Sequence, residues 1–420
     1  MISPSAKELF GISVHTLSQE YGTPTFLYHK ELIEQRISEV KSFDTVRFAQ
    51  KACSNLAILS IMRKNGVVVD AVSAGEIHRA VQAGFRTGPD VSDIVFTADI
   101  FDQDAIEYIK KYQLTVNVGS PDMITQLGEF APGSRVILRI NPGFGHGHSQ
   151  KVNTGGNLSK HGIWHKDINM CLELAEKANV NICGVHMHIG SGSDFEHLSQ
   201  VCDAMVQSAS LLGDKLHIIS AGGGLPIPYK NEDKESGRID VERYYSLWKK
   251  AQEDVSKVAG HHVELEVEPG RYLVAEAGAL LTQIRSVKNT GGTDFYLIDA
   301  GFDNLIRPAM YGAYHEISIA SQEEADGSKD VVVAGPLCES CDVFTQSEGG
   351  FIETRKLPNA KVGDYLVLHD AGAYGAAMSS NYNTRKLAAE VLIADGKAHV
   401  IRKRQSFEQI LENESIPEGL

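Results

Sequence analysis

The feature that most constrains this chain is an alternation. Across the first two-thirds, short β-branched or apolar runs at 46–53, 67–72, 94–99, 114–119, 134–141, 180–190, 216–224 and 263–269 are separated by stretches of helical period, such as 73–84, 101–113 and 167–179. Ser73 and Glu76 have the spacing of a helix capping box. Eight strands with intervening helices is the count of a (β/α)8 TIM-type barrel, which takes about 250 residues. An open doubly wound sheet is the competing arrangement. From about residue 281 the texture changes to strand-like runs at 295–300, 330–334, 363–369 and 389–394, separated by Gly, Asp and Asn turns. The expected architecture is therefore α/β: a (β/α)8 barrel over 25–272, followed by a C-terminal β-sandwich or β-barrel-like domain over 273–420 that also takes in 1–24. The early run 23–28 stands just ahead of the first barrel strand and is a candidate partner for it.

Composition narrows the function. A net charge of −14, from 40 basic and 54 acidic residues, disfavours nucleic acid and anionic membrane surfaces, and no basic stripe offsets it. No apolar run approaches the ~20 residues of a membrane span, and residues 1–10 lack the pattern of a secretory signal. A cytoplasmic protein is expected. The six cysteines are scattered, as suits a reduced compartment. Cys338 and Cys341 form a C-x-x-C, but a zinc knuckle needs a second such pair, so no metal is expected.

In a barrel of this kind the carboxyl ends of the strands carry the chemistry. Lys51 closes the first strand, Asp70 the second, His188 the sixth, Gly222, Gly223 and Gly224 the seventh, and Glu268 the eighth. A lysine in an apolar strand is costly to bury unless it sheds its charge by condensing with an aldehyde; the alternative is a frayed end reaching solvent. The glycine triplet lets backbone amides approach a phosphate, or is a plain turn. It is not a dinucleotide fingerprint. His186 and His188 lie two apart on one strand and share a side; metal binding, a core role, or for His188 packing on a flat cofactor are all open. Glu268, followed by Pro269, Gly270 and Arg271, is either half of an ion pair or the group that keeps a pyridinium nitrogen protonated.

Eight strings in order, FAQKACSN (48–55), VDAVSAGE (69–76), HMHIGSGSDF (186–195), SAGGGLP (220–226), EPGRYLVAEAG (268–278), RPAMYGAYH (307–315), AGPLCESCDVF (334–344) and HDAGAYGAAMSSNYN (369–383), resemble the fold-type III pyridoxal-phosphate-dependent decarboxylases over nearly the whole chain. The resemblance implies that Lys51 holds the cofactor covalently and that His188 lies against its ring, with Glu268 at the ring nitrogen. Ser191, Gly224 and the backbone from Glu268 to Arg271 would bind phosphate, and Asp70, Gly222, Gly223 and Gly270 belong to the same cofactor-binding set. Arg271, Arg307 and Tyr311 would hold substrate, Glu339 its distal ammonium, and Tyr374 would touch phosphate and substrate. Cys338 would supply the proton that replaces carbon dioxide. The family also implies a homodimer in which Cys338 and Glu339 serve the neighbouring subunit's site. Two departures stand out: FAQKACSN is longer than the usual string around the lysine, and Cys341 is an additional thiol.

The substrate implied is a small amino acid, best a diamino diacid carrying a carboxylate and an ammonium at each end, which would become lysine. Arginine pairs bidentately with a distal carboxylate where lysine cannot, so Arg307 is the selecting residue; a surface salt bridge for Arg307 and a core role for Tyr311 are the plainer readings. Rivals are a racemase, which Glu268 disfavours, decarboxylases for arginine, ornithine or carboxynorspermidine, and a non-catalytic vitamin B6-binding barrel.

Overall fold

The computed structural model describes residues 2–89, 91–144, 155–188, 194–234, 237–321 and 326–420. It divides into two compact units, residues 34–226 with 239–273, and residues 1–33 with 227–238 and 274–420.

The first unit is a closed barrel. Among the described residues its strands are β1 (Thr45–Ala49), β2 (Val68–Ala71), β3 (Ile94–Ala98), β4 (Thr115–Val118), β5 (Arg135–Asn141), β6 (Asn181–His186), β7 (Ile218–Ser220) and β8 (Glu264–Val267). Each is parallel to the next, and β8 closes on β1 with Glu266 opposite Thr45 and Val267 opposite Val46. Parallel neighbours need a crossover, and capped amphipathic helices supply it. Asn55, Ser73, Asp102, Asp194 and Asp240 each accept a backbone N–H at the start of a helix. All eight expected runs are strands, and the open sheet is excluded by the closure of β8 on β1. The capping box at Ser73 is only half formed. Ser73 Oγ accepts from Glu76 N, but the Glu76 carboxylate accepts from Val72 N at 2.8 Å, one residue further back.

One strand shows how the barrel interior is filled. Glu264, Glu266 and Glu268 alternate along the chain and therefore face the same side. Glu266 pairs with Arg47 of β1 at 2.7 and 3.2 Å, and Arg47 also donates to the carbonyls of Val69 and Asp93. Both side chains are buried. A buried ion pair is tolerable because every donor finds an acceptor; removing one partner typically costs about 3–5 kcal/mol.

The second unit is built on a long strand, Gly278–Thr290. It runs antiparallel to Thr25–His29, Tyr365–Leu368 and Thr293–Ile298. Thr25–His29 continues, in parallel, to Ala389–Ala394, and that strand to Lys397–Arg402; Thr293–Ile298 continues to Ser328–Ala334 and Arg355–Pro358. Leu27, Leu281, Val367, Val391 and Ile393 share a buried cluster. The run 23–28 thus pairs with the second unit's strands and not with the first barrel strand. Its consecutive residues Phe26 and Leu27 point to opposite faces and both are buried there, Leu27 in the shared apolar cluster. Residues 25–33 and 227–238, expected within the barrel, also group with this unit. For the latter the reason is charge: Lys234 meets Asp370 at 2.8 Å and Glu276 at 3.6 Å, and Arg238 grips Glu276 with two hydrogen bonds. The strands Gly278–Thr290, Ile317–Ala320, Arg355–Pro358 and Lys397–Arg402 were not foreseen. No helix among the described residues is long and apolar enough to cross a membrane.

Candidate active site

The end of β8 holds Glu268 in the most heavily engineered electrostatic setting of the barrel unit. Its Oε2 accepts from His186 Nε2 at 3.0 Å and its Oε1 from Ser220 Oγ at 2.8 Å. The three side chains come from β8, from the end of β6 and from the end of β7, and all are buried. Burial by itself would raise the carboxyl's pKa, but His186, Ser220 and Arg47 outweigh it and hold Glu268 well below the usual carboxylate range. Glu268 is an anion at neutral pH. It is not in an ion pair with Arg271, the plainer expectation; its partners are His186 and Ser220.

Asp70, at the end of β2, faces the same interior. Burial and then the Glu268 charge push its pKa up to about 6. Its Oδ1 is buried with no hydrogen-bond partner among the described residues. Glu76 behind it is raised to about 7, by burial above all. Arg139 on β5 belongs to the same field: burial lowers its pKa while Asp99, Glu268 and Asp70 pull it back. A cluster drawn from β1, β2, β5, β6 and β8 can form only inside a closed barrel.

His188 lies two residues beyond His186, where the chain has left β6, and is half-buried. Its Nδ1 accepts from the Gly223 amide at 3.1 Å, so a neutral ring carries its proton on Nε2. Burial, then Arg139 and Lys51, lower its pKa well below the ordinary value. The ring is therefore a flat, uncharged surface. The glycine triplet is explained by contact as much as by any ligand. A Cβ on Gly222 would stand 2.5 Å from the Met187 carbonyl oxygen, and one on Gly223 would stand 2.5 Å from that of Glu268. The Gly222 amide is taken up by Ser220 Oγ and that of Gly223 by His188, so neither amide is part of an open cradle, which corrects the simplest reading of the triplet.

Lys51 lies just past the first strand instead of closing it. The chain leaves β1 at Ala49, tied by its amide to the Pro269 carbonyl, and Gln50–Ala52 form a 3₁₀ turn. That turn lifts Lys51 off the strand, and its side chain is exposed, the second of the two alternatives the sequence left open. Arg271 opens the short helix Arg271–Val274 immediately after Gly270, which packs closely on Ala49 and Ala52. Ser191 lies outside the described residues, as does 145–154 within the Gly- and His-rich segment 142–162.

The remaining candidates belong to the second unit. Arg307 is 6% exposed, not on the surface, and its Nη1 donates to His315 Nε2 at 2.9 Å. Tyr311 ends the helix that Arg307 begins and is half-buried. Tyr374 is half-buried with φ +58, a left-handed conformation that non-glycine residues rarely adopt. Cys338, Glu339 and Cys341 are all exposed, on a loop whose base is pinned by buried Asp342 accepting from the amides of Leu337 and Phe302. The Cys338 amide donates to Asn383 Oδ1. Burial and then Glu339 push the Cys341 thiol up.

Sequence reasoning left His186 open among metal, core and other roles and missed Ser220, Arg139 and His315. The signal for His186 was present: two histidines on one side of a strand, and a glutamate ending the strand two places further round the barrel. Ser220 and Arg139 gave none, because a serine before glycines and an arginine in a strand are each common.

The features above suit a flat cofactor with an aldehyde, a ring nitrogen and a phosphate: an exposed amine at Lys51, a permanent anion at Glu268, a neutral ring at His188 and an unpartnered oxygen on Asp70. A TIM-type barrel carrying this set beside a β-rich unit is the architecture of the pyridoxal-dependent decarboxylases, and the family model described as "Pyridoxal-dependent decarboxylase, pyridoxal binding domain" matches residues 29–275. The chain is 54% identical over 404 residues to diaminopimelate decarboxylase of Escherichia coli K12, covering 95% of this chain and 96% of the relative. A crystal structure of diaminopimelate decarboxylase superposes with a TM-score of 0.92 at 53% identity, covering 96% and 97% of the two chains. That of the Helicobacter pylori enzyme complexed with L-lysine gives 0.85 at 31%, covering 95% and 98%. The chain belongs to the diaminopimelate decarboxylase family.

Proposed function

We propose that this protein decarboxylates meso-diaminopimelate to L-lysine and carbon dioxide, the last step of lysine synthesis, with pyridoxal 5′-phosphate as cofactor. The observation that carries the reading is Glu268, kept ionised at the end of β8 by His186 and Ser220. Pyridoxal phosphate, when bound, supplies a sink for the electron pair left as carbon dioxide departs, and the sink is strongest with the ring nitrogen protonated. Glu268 holds that proton in place. A cationic residue there would not, and this separates a decarboxylase from a racemase.

Lys51 Nζ carries the covalent attachment, and its exposed position on the turn after β1 leaves it reachable. The neutral His188 ring packs on the cofactor's face. Asp70, Gly222, Gly223, Gly224 and Gly270 shape the cofactor's surroundings, with Ser191, Arg271 and Tyr374 at its phosphate. Arg307 and Tyr311 take the distal carboxylate, with Arg271 and Tyr374 also on the substrate and Glu339 on the distal ammonium. A substrate without the distal carboxylate would forgo the bidentate pairing that the Arg307 guanidinium offers, which is the basis of selection. Cys338 Sγ delivers a proton to the carbon that carbon dioxide has left.

Cys338 and Glu339 are exposed on their own chain, which supports the further reading that they act in the site of a second copy, in a homodimer with shared sites. The barrel unit, residues 34–226 with 239–273, would then supply the cofactor site, and the other unit the dimer contact. The place of action is the cytoplasm. A substrate panel assayed for carbon dioxide tests the activity. Release from diaminopimelate and not from lysine, ornithine, arginine or carboxynorspermidine is expected; the reverse preference, or no release with cofactor bound, would sink the reading.

A further inference from the structure

We infer that Cys338 and Cys341 are an oxidation site: a hydroperoxide takes two electrons from the pair, which closes into a disulfide within one chain. That this disulfide also stops turnover rests on the reading of Cys338 as the proton donor.

Cys53, Cys171, Cys183 and Cys202 are buried, whereas Cys338 and Cys341 are exposed. Burial pushes Cys171 up to about 11 and Cys202 up to about 12, so neither offers a thiolate at neutral pH. The two exposed thiols stand three residues apart on a loop that is closed at its neck. Ala334 and Val343 form an antiparallel bridge, and the Gly335 amide donates to the Asp342 carbonyl at 2.9 Å. A Cβ on Gly335 would stand 2.2 Å from Asp342 Oδ2, so glycine is what lets the neck close. Beyond the neck the chain folds back, with the Asp342 amide donating to the Glu339 carbonyl at 3.1 Å. The Cys338 amide is held by Asn383 Oδ1 at 3.0 Å. Both thiols therefore ride on one turn of chain. Joining them asks for side-chain rotation and adjustment of the loop tip, and displaces no strand. C-x-x-C is also the spacing of dithiols that cycle between oxidised and reduced forms.

The two cysteines divide the chemistry. A site that admits a diamino diacid to the Cys338 sulfur also admits the much smaller peroxide. The Cys338 thiolate attacks one peroxide oxygen and the O–O bond breaks. Hydroxide leaves and takes up a proton as water, while the sulfur, oxidised by two electrons, becomes a sulfenic acid. Cys341 then attacks that sulfur. The S–S bond forms as the S–O bond breaks, and the Cys341 proton departs with the oxygen as a second water. In sum, one hydrogen peroxide and two thiols give one disulfide and two waters. Burial and then Glu339 push the Cys341 thiol up, which makes it a poor first target for peroxide and leaves it the proton that the departing oxygen needs. A disulfide has no S–H to give, so turnover stops until a dithiol reduces it. Closing the pair also keeps the Cys338 sulfur from the irreversible steps beyond sulfenic acid.

The test exposes the holoenzyme, without substrate, to hydrogen peroxide, then unfolds it, alkylates the remaining thiols with iodoacetamide and examines the digest by mass spectrometry. The wild-type peptide carrying Cys338 and Cys341 should be unalkylated and about 2 Da lighter, two hydrogens having been lost. Peptides carrying the four buried cysteines should be alkylated. Carbon dioxide release should fall roughly 100-fold or more, in the range for loss of a positioned proton donor, and return with dithiothreitol. Cys341→Ser should keep its basal turnover but lack the resolving thiol, so dimedone should trap its Cys338 as the sulfenic acid and label the wild type far less. Wild-type protein alkylated at both positions after peroxide, or dimedone labelling equal in the two proteins, overturns the inference. So does a disulfide from Cys338 to a second copy, seen as a dimer on a non-reducing gel. The two layers separate by readout. A closed disulfide with full activity leaves the oxidation site standing and removes Cys338 as proton donor. An inactive Cys338→Ala variant beside a wild type that never forms the disulfide keeps the proton donor and sinks the oxidation site.

Discussion

The barrel mouth and the Cys338–Cys341 loop carry reactive groups in opposite ways. At the mouth, Glu268 is buried and held by side chains from β6 and β7, and Asp70 is buried nearby. On the loop, the thiol of Cys338 and the carboxylate of Glu339 are exposed, and what is buried is the anchoring Asp342. The first arrangement is finished within one chain: its dipoles and charges are fixed before any ligand arrives, which is the condition for electrostatic work in catalysis. The second fixes the backbone and displays the side chains. Groups displayed in that way do their chemistry only where something else closes over them.

The most severe way to probe the finished half is to remove its amine or its anion. Lys51→Ala should abolish turnover and the absorbance of bound cofactor together, since the proposed function makes the amine on the turn after β1 the attachment. A variant that kept full activity would remove Lys51 from the centre of the site. Glu268→Gln keeps the shape of the side chain and the possibility of hydrogen bonds to His186 and Ser220, but loses the charge. It should lower kcat by on the order of 10²–10³-fold, comparable to removal of one preorganised electrostatic group, while cofactor still binds. Unchanged kcat would show that the ring nitrogen does not need an anion.

The displayed half is broken open by mixing. Lys51→Ala and Cys338→Ala proteins should each be inactive or nearly so. After subunit exchange about half of the dimers would be mixed, each with one of two sites holding both wild-type residues, so recovery of up to roughly a quarter of wild-type activity is expected. Exchanged mixtures that stay dead would place Lys51 and Cys338 in the same chain's site and remove the support for a shared one.

The two halves were also unequally legible. The barrel could be read because short apolar or β-branched runs alternate with stretches of helical period, and because every strand-end residue inherits its location from that count. Glu268, Asp70 and His188 follow from it. What could not be read was pairing across strands. His186 and Ser220 reach Glu268 from 82 and 48 residues away, and nothing local in HMH or SAG specifies that contact. Lys51 was left open between a buried strand end and one reaching solvent, because nothing local in FAQKAC specifies the turn Gln50–Ala52 that decides it. In the β-rich unit the 13-residue strand Gly278–Thr290 escaped notice. Its buried half, GALLT, is apolar but for Thr282 and its far end is polar, so neither shows the alternation of a half-exposed strand. The strings RPAMYGAYH and AGPLCESCDVF identified their residues by resemblance, yet the tautomer of His315 depends on a carbonyl 54 residues away.

The smallest expected effect is on stability, and it asks whether the finished half is strained without its cofactor. In an unfolded chain Asp70 titrates near the ordinary aspartate value of about 3.9. In the folded chain burial and the fixed Glu268 anion raise it to about 6. Between about pH 4 and pH 6 the native state therefore binds a proton that the unfolded state has released, and stability falls as pH rises through that window. Above pH 6 both states have lost the proton and the penalty is constant, at most about 3 kcal/mol for a shift of this size. Glu268 runs the other way: its depressed pKa adds stability above the unfolded value and loses it only in stronger acid. Asp70→Asn deletes the first contribution and leaves the second. Urea midpoints of the cofactor-stripped protein and the variant at pH 4 and pH 7 should show the variant gaining on the wild type as pH rises. Parallel behaviour across that range would mean that Asp70 is already ionised at pH 4 beside Glu268, and that Lys51 and His186 compensate both carboxylates without help from a ligand.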